Sequence, residues 1–509
     1  MSGQAPAELA ALRERMAELS DLNGLGGLLF WDQQTMMPQK GAAARAEHAA
    51  TLARTIHGRE TDPALGALLD VLEPWAASED PDGDDARLVQ WVRRDYEKAV
   101  RVPADLAAEM TKARTLGQQA WQEALAANDF GRFRDALAEN IELRHRYVAC
   151  FEGYAHPYDV LLDDFEPGLT TAELRPLLAS LSDALVPIVA AAAAPGQQRN
   201  DGAFTGRYPM EDQRRAVLAV LEAVGFDPEA WRLDAALHPF ASGIAIDDVR
   251  LTTKYDEQDF AMALYSVLHE FGHGLYQASV DPRLARTTLD DPVSLGVHES
   301  QSRTWENIVG RSRPFCAWLL PLLQRELPGP LEKLDAAGLY RAVNTVQPSL
   351  VRVEADESTY NLHIVLRFEL ELALIEGTLS VDDLPAAWDE GTERLLGLQV
   401  PGPAEGVLQD IHWSAGLIGY FPTYAIGNLM AAQLWQRLAA DVGDVDASIE
   451  RGDFAPVREW LRENVHRHGR KLLPRELLRR VTGDDLRVEP FVAYLEAKLV
   501  DAGVLARAR

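Results

Sequence analysis

The sequence predicts a mainly α-helical protein with one small β-sheet. Ala, Leu, Glu and Arg are abundant, and in most segments the apolar residues recur every three or four positions, which is the period of an amphipathic helix. Only residues 244–255 alternate apolar and polar side chains as a strand does. No internal repeat or long polar linker interrupts the chain, so we expect residues 1–509 to form one unit.

Two short breaks divide the helical segments. Residues 78–85 contain Pro81 and Gly83, and residues 194–202 contain a second Pro-Gly pair, which ends a helix in either case. Both breaks are too short to be domain linkers. The helical period is clearest in five segments: Ala7–Leu19, Leu88–Val100, Asp105–Ala126, Thr171–Ala194 and Glu357–Ile375.

The strand-like segment reads IAIDDVRLTTKY, in which Val249 and Leu251 alternate with Arg250 and Thr252. Successive side chains of a strand point to opposite faces, so Arg250 and Thr252 share one face. A few short strands, which we expect to be antiparallel, would therefore form a sheet just before the motif described below.

Composition excludes several classes of protein. The 509 residues carry a net charge of −28, which disfavours binding to nucleic acid or to anionic membranes. The only cysteines, Cys150 and Cys316, can form neither a disulfide framework nor a cysteine-based zinc site. Residues 1–20 lack the apolar core of a signal peptide, and no apolar run is long enough to span a bilayer. We expect a cytoplasmic protein.

Residues 267–276, VLHEFGHGLY, contain an H-E-x-x-H motif. On a helix, His269 and His273 lie on one face and their imidazoles can bind one zinc ion, while Glu270 can reach a water beside it. The alternative is a helix with two surface histidines. Gly272 and Gly274 are poor helix formers, and they make sense where backbone or substrate must approach closely.

A catalytic zinc needs a third protein ligand and an open position. The best candidate is Glu299, 26 residues after His273 and close to a predicted helix start after Gly296. His298 is the rival ligand. We favour Glu299 because two histidines and a glutamate form a known catalytic set, and His298 would then contact another ligand or the substrate. Zinc would activate a water, and Glu270 would carry its proton to the leaving amine.

Further segments resemble the carboxypeptidase Taq family of metallocarboxypeptidases. The resemblance covers nearly the whole chain and is carried by motifs in the same order as in the family: Trp31-Asp32, His238-Pro239-Phe240, Asp248–Thr252, the motif at His269, His298–Gln301, Val351–Asp356, Gly406–Trp413, Gly419–Tyr424 and His466–Pro474. Val351 stands where the family often has Ile.

The resemblance implies two lobes around a deep, narrow substrate groove with the metal at its floor. It also implies a homodimer, peptide substrates cleaved at the C-terminus with broad specificity but poorly beside proline, and zinc or cobalt as the metal. It assigns Glu299 as third ligand and Glu270 as base, in agreement with the motif itself.

Polar residues near the C-terminal half are candidates for supporting roles. His412, Tyr420 and Tyr424 lie in the aromatic segment HWSAGLIGYFPTY and could donate hydrogen bonds to the developing oxyanion, with Tyr424 slightly favoured over Tyr420. The alternative is an aromatic core segment, which we prefer for Trp413 and Phe421.

Arginine is the natural partner of a peptide's terminal carboxylate, because it can donate two parallel hydrogen bonds. Arg352 and Arg250 are the candidates, with Thr252 beside Arg250 as a further substrate contact; the alternative for each arginine is a structural ion pair. Asp410 and Glu306 are either partners of the metal ligands or ordinary helix-face charges.

Two other functions share parts of this pattern. An endo-acting oligopeptidase would have the same metal site, and only the products distinguish it from a carboxypeptidase. A non-enzymatic helical peptide-binding scaffold would carry the H-E-x-x-H motif by chance and would hold no stoichiometric metal.

Overall fold

The computed structural model describes residues 6–194, 204, 206–329 and 331–506. The first ten helices in these ranges are α1 (Ala7–Thr35), α2 (Ala42–Glu60), α3 (Pro63–Ala76), α4 (Asp84–Arg101), α5 (Ala104–Ala127), α6 (Gly131–Val148), α7 (Pro157–Leu162), α8 (Thr171–Ala192), α9 (Met210–Val224) and α10 (Phe260–Ala278). The remaining helices are α11 (Leu295–Arg303), α12 (Arg313–Glu326), α13 (Ala336–Val343), α14 (Glu357–Glu376), α15 (Leu384–Leu396), α16 (Pro422–Val442), α17 (Val445–Glu450), α18 (Ala455–Asn464), α19 (Pro474–Thr482) and α20 (Glu489–Asp501).

The mainly helical prediction is confirmed. Four of the five segments with the clearest period lie within a helix, and the fifth, Thr171–Ala194, extends two residues beyond the end of α8 at Ala192. Helix α1 continues sixteen residues beyond the predicted end at Leu19, to Thr35. The break at residues 78–85 separates α3 from α4, whereas most of the break predicted at residues 194–202 lies outside the described residues.

The small sheet has three strands, β1 (Trp231–Ala235), β2 (Ala241–Ala245) and β3 (Asp248–Thr253), in the order β1-β3-β2. Strands β2 and β3 are antiparallel, but β1 and β3 are parallel, so the expectation of an antiparallel sheet was wrong. The tight connection between β2 and β3 imposes an antiparallel pair. The longer path from β1 through β2 lets β3 return beside β1 in the same direction.

Helix α10 packs on this sheet through Gly274. A Cβ atom at Gly274 would lie 2.8 Å from Val249 Cγ1 and 3.0 Å from Leu251 Cδ2, so only glycine permits the contact. A Cβ at Gly272 would lie 2.6 Å from Ser302 Cα on α11. The predicted close approach of backbone is confirmed at Gly272, where it brings α11 against the histidine-bearing helix, whereas the close neighbours of Gly274 are side chains of the sheet.

Helix α8 has the length and hydropathy of a membrane span. It contains Pro176 and Pro187, and its apolar face, which includes Leu174, Leu181 and Leu185, is fully buried among other helices of the protein. Such burial is typical of a core helix of a globular fold.

Candidate metal centre

Helix α10 places the two histidines of the H-E-x-x-H motif side by side. The carboxylate of Asp259 caps its first turn by accepting a hydrogen bond from the Met262 amide at 3.2 Å. One turn of helix separates His269 from His273, and their Nε2 atoms lie 3.2 Å apart. Both imidazoles therefore present the same nitrogen to one point.

Helix α11 supplies the third group. The Ser294 hydroxyl caps α11 by accepting from the Val297 amide at 3.0 Å, which fixes the first turn that carries Glu299. The Glu299 Oε2 atom lies 3.6 Å from His269 Nε2 and 3.5 Å from His273 Nε2. The three ligand atoms form a compact triangle, with each atom within 4.8 Å of the others.

This triangle fits a tetrahedral metal ion. Ligands about 2.0–2.1 Å from zinc at a tetrahedral angle are about 3.3–3.5 Å apart, close to the observed edges. The His269 Nδ1 atom is 2.9 Å from the carboxylate of Glu306, an arrangement that directs the other ring nitrogen toward a metal. Of the two alternatives for Glu306, the geometry favours the one in which it contacts His269, a proposed metal ligand.

Electrostatics of the centre are dominated by buried carboxylates. Burial alone would lower the pKa of His269, but Glu299 and Glu306 raise it to about 9. Burial would raise the pKa of Glu299, yet Arg303 and the histidines hold it well below its usual range. The pKa of Glu306 falls to about 2, against the effect of burial, chiefly because of Arg303 and His269. Glu270 differs from these two carboxyl groups, because burial raises its pKa.

His298, the rival ligand, lies differently. Its ring stacks on His273, with centroids 4.0 Å apart and planes 27° apart. Burial and the neighbouring His273 hold its pKa well below the ordinary value, so the ring is neutral. His298 contacts a proposed ligand face to face, whereas Glu299 points an oxygen at both histidine nitrogens.

An arginine cluster, composed of Arg352, Arg367 and Asp410, forms a second polar group nearby. The Asp410 carboxylate accepts from Arg352 Nη2 at 2.7 Å and from Arg367 Nε at 2.6 Å. These bonds hold the pKa of Asp410 far below its usual range, although burial opposes the shift. Asp410 therefore pairs with arginines and not with the metal ligands.

His412 and the two tyrosines adjoin the arginine cluster. His412 Nε2 lies 3.2 Å from Tyr424 Oη, and His412 Nδ1 lies 3.8 Å from Asp410 Oδ1. The Tyr420 ring packs against both, at centroid distances of 5.2 Å and 5.4 Å. Burial lowers the pKa of His412 to about 4 and raises that of Tyr424 well above normal, so both are neutral hydrogen-bonding groups near pH 7.

Tyr360 joins the arginine cluster to the metal centre. Its hydroxyl accepts from Arg352 Nη1 at 2.8 Å, and the Arg303 guanidinium stacks on its ring at 4.3 Å. Arg303 in turn donates to Glu299. Neither Tyr360 nor Arg303 is among the residues that the sequence singles out. Arg303 follows Glu299 by four residues, so the helical period could have indicated their contact, whereas Tyr360 is distant from both in the sequence.

The candidates on β3 lie elsewhere. Val249 and Leu251 face α10, so Arg250 and Thr252 occupy the opposite face of the strand. Arg250 forms an ion pair with Asp248 at 2.6 Å and lies over the Trp31 ring. Thr252 is fully buried, and its hydroxyl exchanges hydrogen bonds with the backbone of Phe240. The structure does not bring these two residues into contact with the metal triangle.

A helical protein with an H-E-x-x-H helix and a glutamate from the following helix belongs to the class of metallopeptidases by its fold and site. The sequence profile of the carboxypeptidase Taq (M32) metallopeptidases matches residues 11–499. The chain belongs to this family and is a metallocarboxypeptidase.

Individual relatives are similar to this chain over nearly its whole length. Thermostable carboxypeptidase 1 of Thermus thermophilus is 42% identical over 496 residues, which cover 96% of this chain and 97% of that protein. Carboxypeptidase 1 of Bacillus subtilis is 38% identical over 92% of this chain and 94% of the relative. The crystal structure of the M32 carboxypeptidase from Deinococcus radiodurans superposes with a TM-score of 0.94 at 39% identity, covering 98% of this chain and 100% of the other.

Proposed function

We propose that this enzyme removes single residues from the C-termini of peptides, with His269, His273 and Glu299 as the metal ligands and zinc, or alternatively cobalt, as the ion. The convergence of two Nε2 atoms and one carboxylate oxygen within 3.2–3.6 Å of one another carries the proposal. Imidazole and carboxylate ligands suit both ions in tetrahedral geometry. We further propose broad specificity with poor cleavage beside proline, as the resemblance to the family implies.

The bound ion would supply Lewis acidity to the scissile carbonyl and acidify water at its open position. Glu270 acts as the general base, because it lies between the two ligands on α10 and is buried. Its raised pKa suits a group that must accept a proton and then release it to the leaving amine. Tyr424 and His412, with Tyr420 as the second choice, donate hydrogen bonds to the developing oxyanion.

Arg352 binds the terminal carboxylate of the peptide. Its Nε and Nη2 donate to Asp410, and its Nη1 donates to Tyr360, so these three bonds to described residues leave two of its five N–H groups for a ligand. Asp410 and Tyr360 fix the plane of the guanidinium. Arg250 and Thr252 remain the alternative contacts, on a more distant stretch of the substrate.

The substrate groove runs past His298 from one cavity to another. A cavity of about 530 Å³ is lined by His298, and a second of about 960 Å³ between α1, α4 and β2 shares Asp95, Lys98 and Asp291 with it. Joined, they have room for an extended peptide of several residues, and His298, which stacks on His273, is the proposed site residue that lines them. The lobes on either side would together form one catalytic unit spanning residues 1–509.

The setting of the enzyme follows from its composition and family. We propose a cytoplasmic homodimer that acts on peptides, and its net charge of −28 disfavours association with nucleic acid or anionic membranes.

Mass spectrometry of a synthetic peptide pool tests the proposal. We expect a ladder of products that each lack one more C-terminal residue, much slower cleavage of C-terminally amidated peptides, a pause before proline, and no reaction after chelation until zinc or cobalt is restored. Internal cleavage at similar rates in free and amidated peptides would assign the chain to endo-acting oligopeptidases. Protein without stoichiometric metal, inactive after metal addition, would favour the peptide-binding scaffold.

A further inference from the structure

We infer that Arg303 is a positioning residue that makes Glu299 present a single oxygen to the metal. The two oxygens of Glu299 have different surroundings. Oε1 accepts from Arg303 Nε at 2.7 Å, whereas Oε2 lies toward the histidine nitrogens and accepts from the Ser302 hydroxyl at 3.1 Å. With Oε1 held by a guanidinium, only Oε2 is free to coordinate. This inference rests on the proposed ligand set.

The same guanidinium reaches the support of another ligand. Arg303 Nη1 donates to Glu306 Oε2 at 3.0 Å, the oxygen that lies 2.9 Å from His269 Nδ1. Arg303 therefore braces Glu299 and, through Glu306, His269. One planar group sets the relative position of ligands that come from two different helices.

The backbone after α11 makes this bridge possible. Residues Thr304–Val309 form a π-helix, a form that often occurs at functional sites. The wider turn places Glu306 beside His269 while Arg303 remains one helical turn from Glu299. Lys498 on α20 donates to the Asn307 carbonyl at 3.1 Å and so stabilises the irregular segment.

Burial and charge make the bridge rigid. The Arg303 side chain is only 12% exposed and lies flat on the Tyr360 ring. The carboxylates of Glu299 and Glu306 surround the Arg303 guanidinium, and Arg311 approaches Glu306 from the other side, so both carboxylates have a cationic partner. Planar, bidentate geometry is what arginine provides and lysine does not.

Metal binding and cobalt spectroscopy test the inference on the full-length protein. Arg303→Gln should raise the metal dissociation constant about 10–100-fold in competition with a chelator, the usual effect of losing a partner of a ligand. The visible absorption of the Co²⁺ protein should weaken, since Glu299 could then bind through both oxygens and raise the coordination number. Arg303→Lys should restore affinity only in part and leave the altered spectrum.

Arg311 offers a matched control. It is a partly buried arginine near this site and approaches the other oxygen, Glu306 Oε1, at 3.4 Å, but it is not hydrogen-bonded to Glu299. Arg311→Lys should therefore leave the cobalt spectrum unchanged. Glu299→Ala tests the ligand assignment separately: full metal binding in that variant would reject Glu299 as a ligand, whereas loss of metal there, with wild-type behaviour in Arg303→Gln, would reject only the role of Arg303.

The outcomes against the inference are specific. An Arg303→Gln protein whose dissociation constant stays within threefold of wild type and whose cobalt spectrum is unchanged overturns it. Full restoration of both readouts by Arg303→Lys also overturns it, since charge alone would then suffice. If Arg303→Gln does not fold, the Arg303→Lys protein decides by the same two measurements.

Discussion

The metal centre and the arginine cluster lie beside each other but are built in opposite ways. In the metal centre, two imidazole nitrogens and one carboxylate oxygen converge. The Arg303 guanidinium contacts Oε1 of Glu299, whereas Oε2 is the oxygen that faces the histidines. In the arginine cluster, two guanidiniums converge on one carboxylate. The first region concentrates electron-pair donors and the second concentrates hydrogen-bond donors.

This difference indicates what each region binds. Converging electron-pair donors are stabilised by a cation from outside the chain, and their binding is coupled to metal concentration. The arginine cluster has its own counter-charge in Asp410, so it is stable without a ligand and retains a net positive charge for an anion. A peptide whose terminal carboxylate is separated from the scissile amide nitrogen only by the Cα atom would contact both regions at once.

The first prediction separates holding the metal from using it. Glu299→Ala should abolish stoichiometric metal binding, because three ligands are the minimum for a catalytic zinc held by protein. Glu270→Gln should keep the metal and lower kcat by about 10²–10⁴-fold, since only proton transfer is removed. Metal analysis and single-peptide kinetics on both variants measure the two effects.

Two results would contradict this separation. Near wild-type turnover in Glu270→Gln would exclude that residue as the base. Full metal content in Glu299→Ala, together with loss of metal in His298→Ala, would transfer the third-ligand role to the stacked histidine.

The second prediction tests whether the arginine cluster recognises the carboxylate. Losing one partner of a desolvated charge pair costs about 2–5 kcal/mol, so Arg352→Gln should lower kcat/KM by about thirty-fold to several thousand-fold. Amidation of the peptide's C-terminus should have a similar effect on the wild type and little further effect on the variant, because both changes remove the same contact.

Arg250→Gln is the matched control for Arg352, because it neutralises an arginine that is paired with a single aspartate on the strand face away from α10. We expect it to retain most of the activity and the full response to amidation. A large loss in Arg250→Gln with normal Arg352→Gln would move carboxylate recognition to β3. Metal content and melting temperature show that either variant is folded.

Sequence reasoning succeeded where function depends on local geometry. The spacing of His269 and His273 fixes their common face, and the helical period predicts the surrounding elements. These inferences need only one or two helical turns, within which backbone geometry is nearly invariant. Glu299 lies on another helix, and its choice followed from the chemistry of the third ligand and from a helix start predicted after Gly296, one to two residues later than the observed start at Leu295.

It failed where pairing is long-range. The parallel pairing of β1 with β3 depends on a chain path that no local pattern encodes. Asp410 is separated from Arg352 by 58 residues and from Arg367 by 43, so local sequence patterns could not predict which residues it pairs with. The sequence does not predict any role for Glu371, an acidic residue in an apolar helix segment. In the structure its hydrogen bonds organise the loop that carries His412 and Tyr420.

Glu371 provides the last and smallest test, because it makes the region of the arginine cluster sensitive to pH. Its buried carboxylate accepts from Tyr158 Oη at 2.7 Å, Trp413 Nε1 at 2.8 Å and the Gly419 amide at 3.0 Å. Burial raises its pKa to about 7, against a usual value of 4.5. Between these values the folded protein therefore holds a proton that the unfolded chain has released.

The sign of the effect follows from this difference in bound protons. The contribution of the Glu371 proton to the free energy of unfolding is fully present below pH 4.5 and is lost as the pH rises toward 7. Above pH 7 the free energy changes little further, and the total loss is about 3 kcal/mol. For a chain of this size that amount corresponds to about 3 °C in melting temperature.

In Glu371→Gln this part of the pH dependence should disappear, and the protein should be less stable at every pH because the amide nitrogen cannot accept a hydrogen bond from its donor. Glu369→Gln, an exposed change on the same helix, should keep the wild-type slope between pH 4.5 and 7. An unchanged slope in Glu371→Gln, measured by thermal melting across that range, would show that Glu371 does not titrate there.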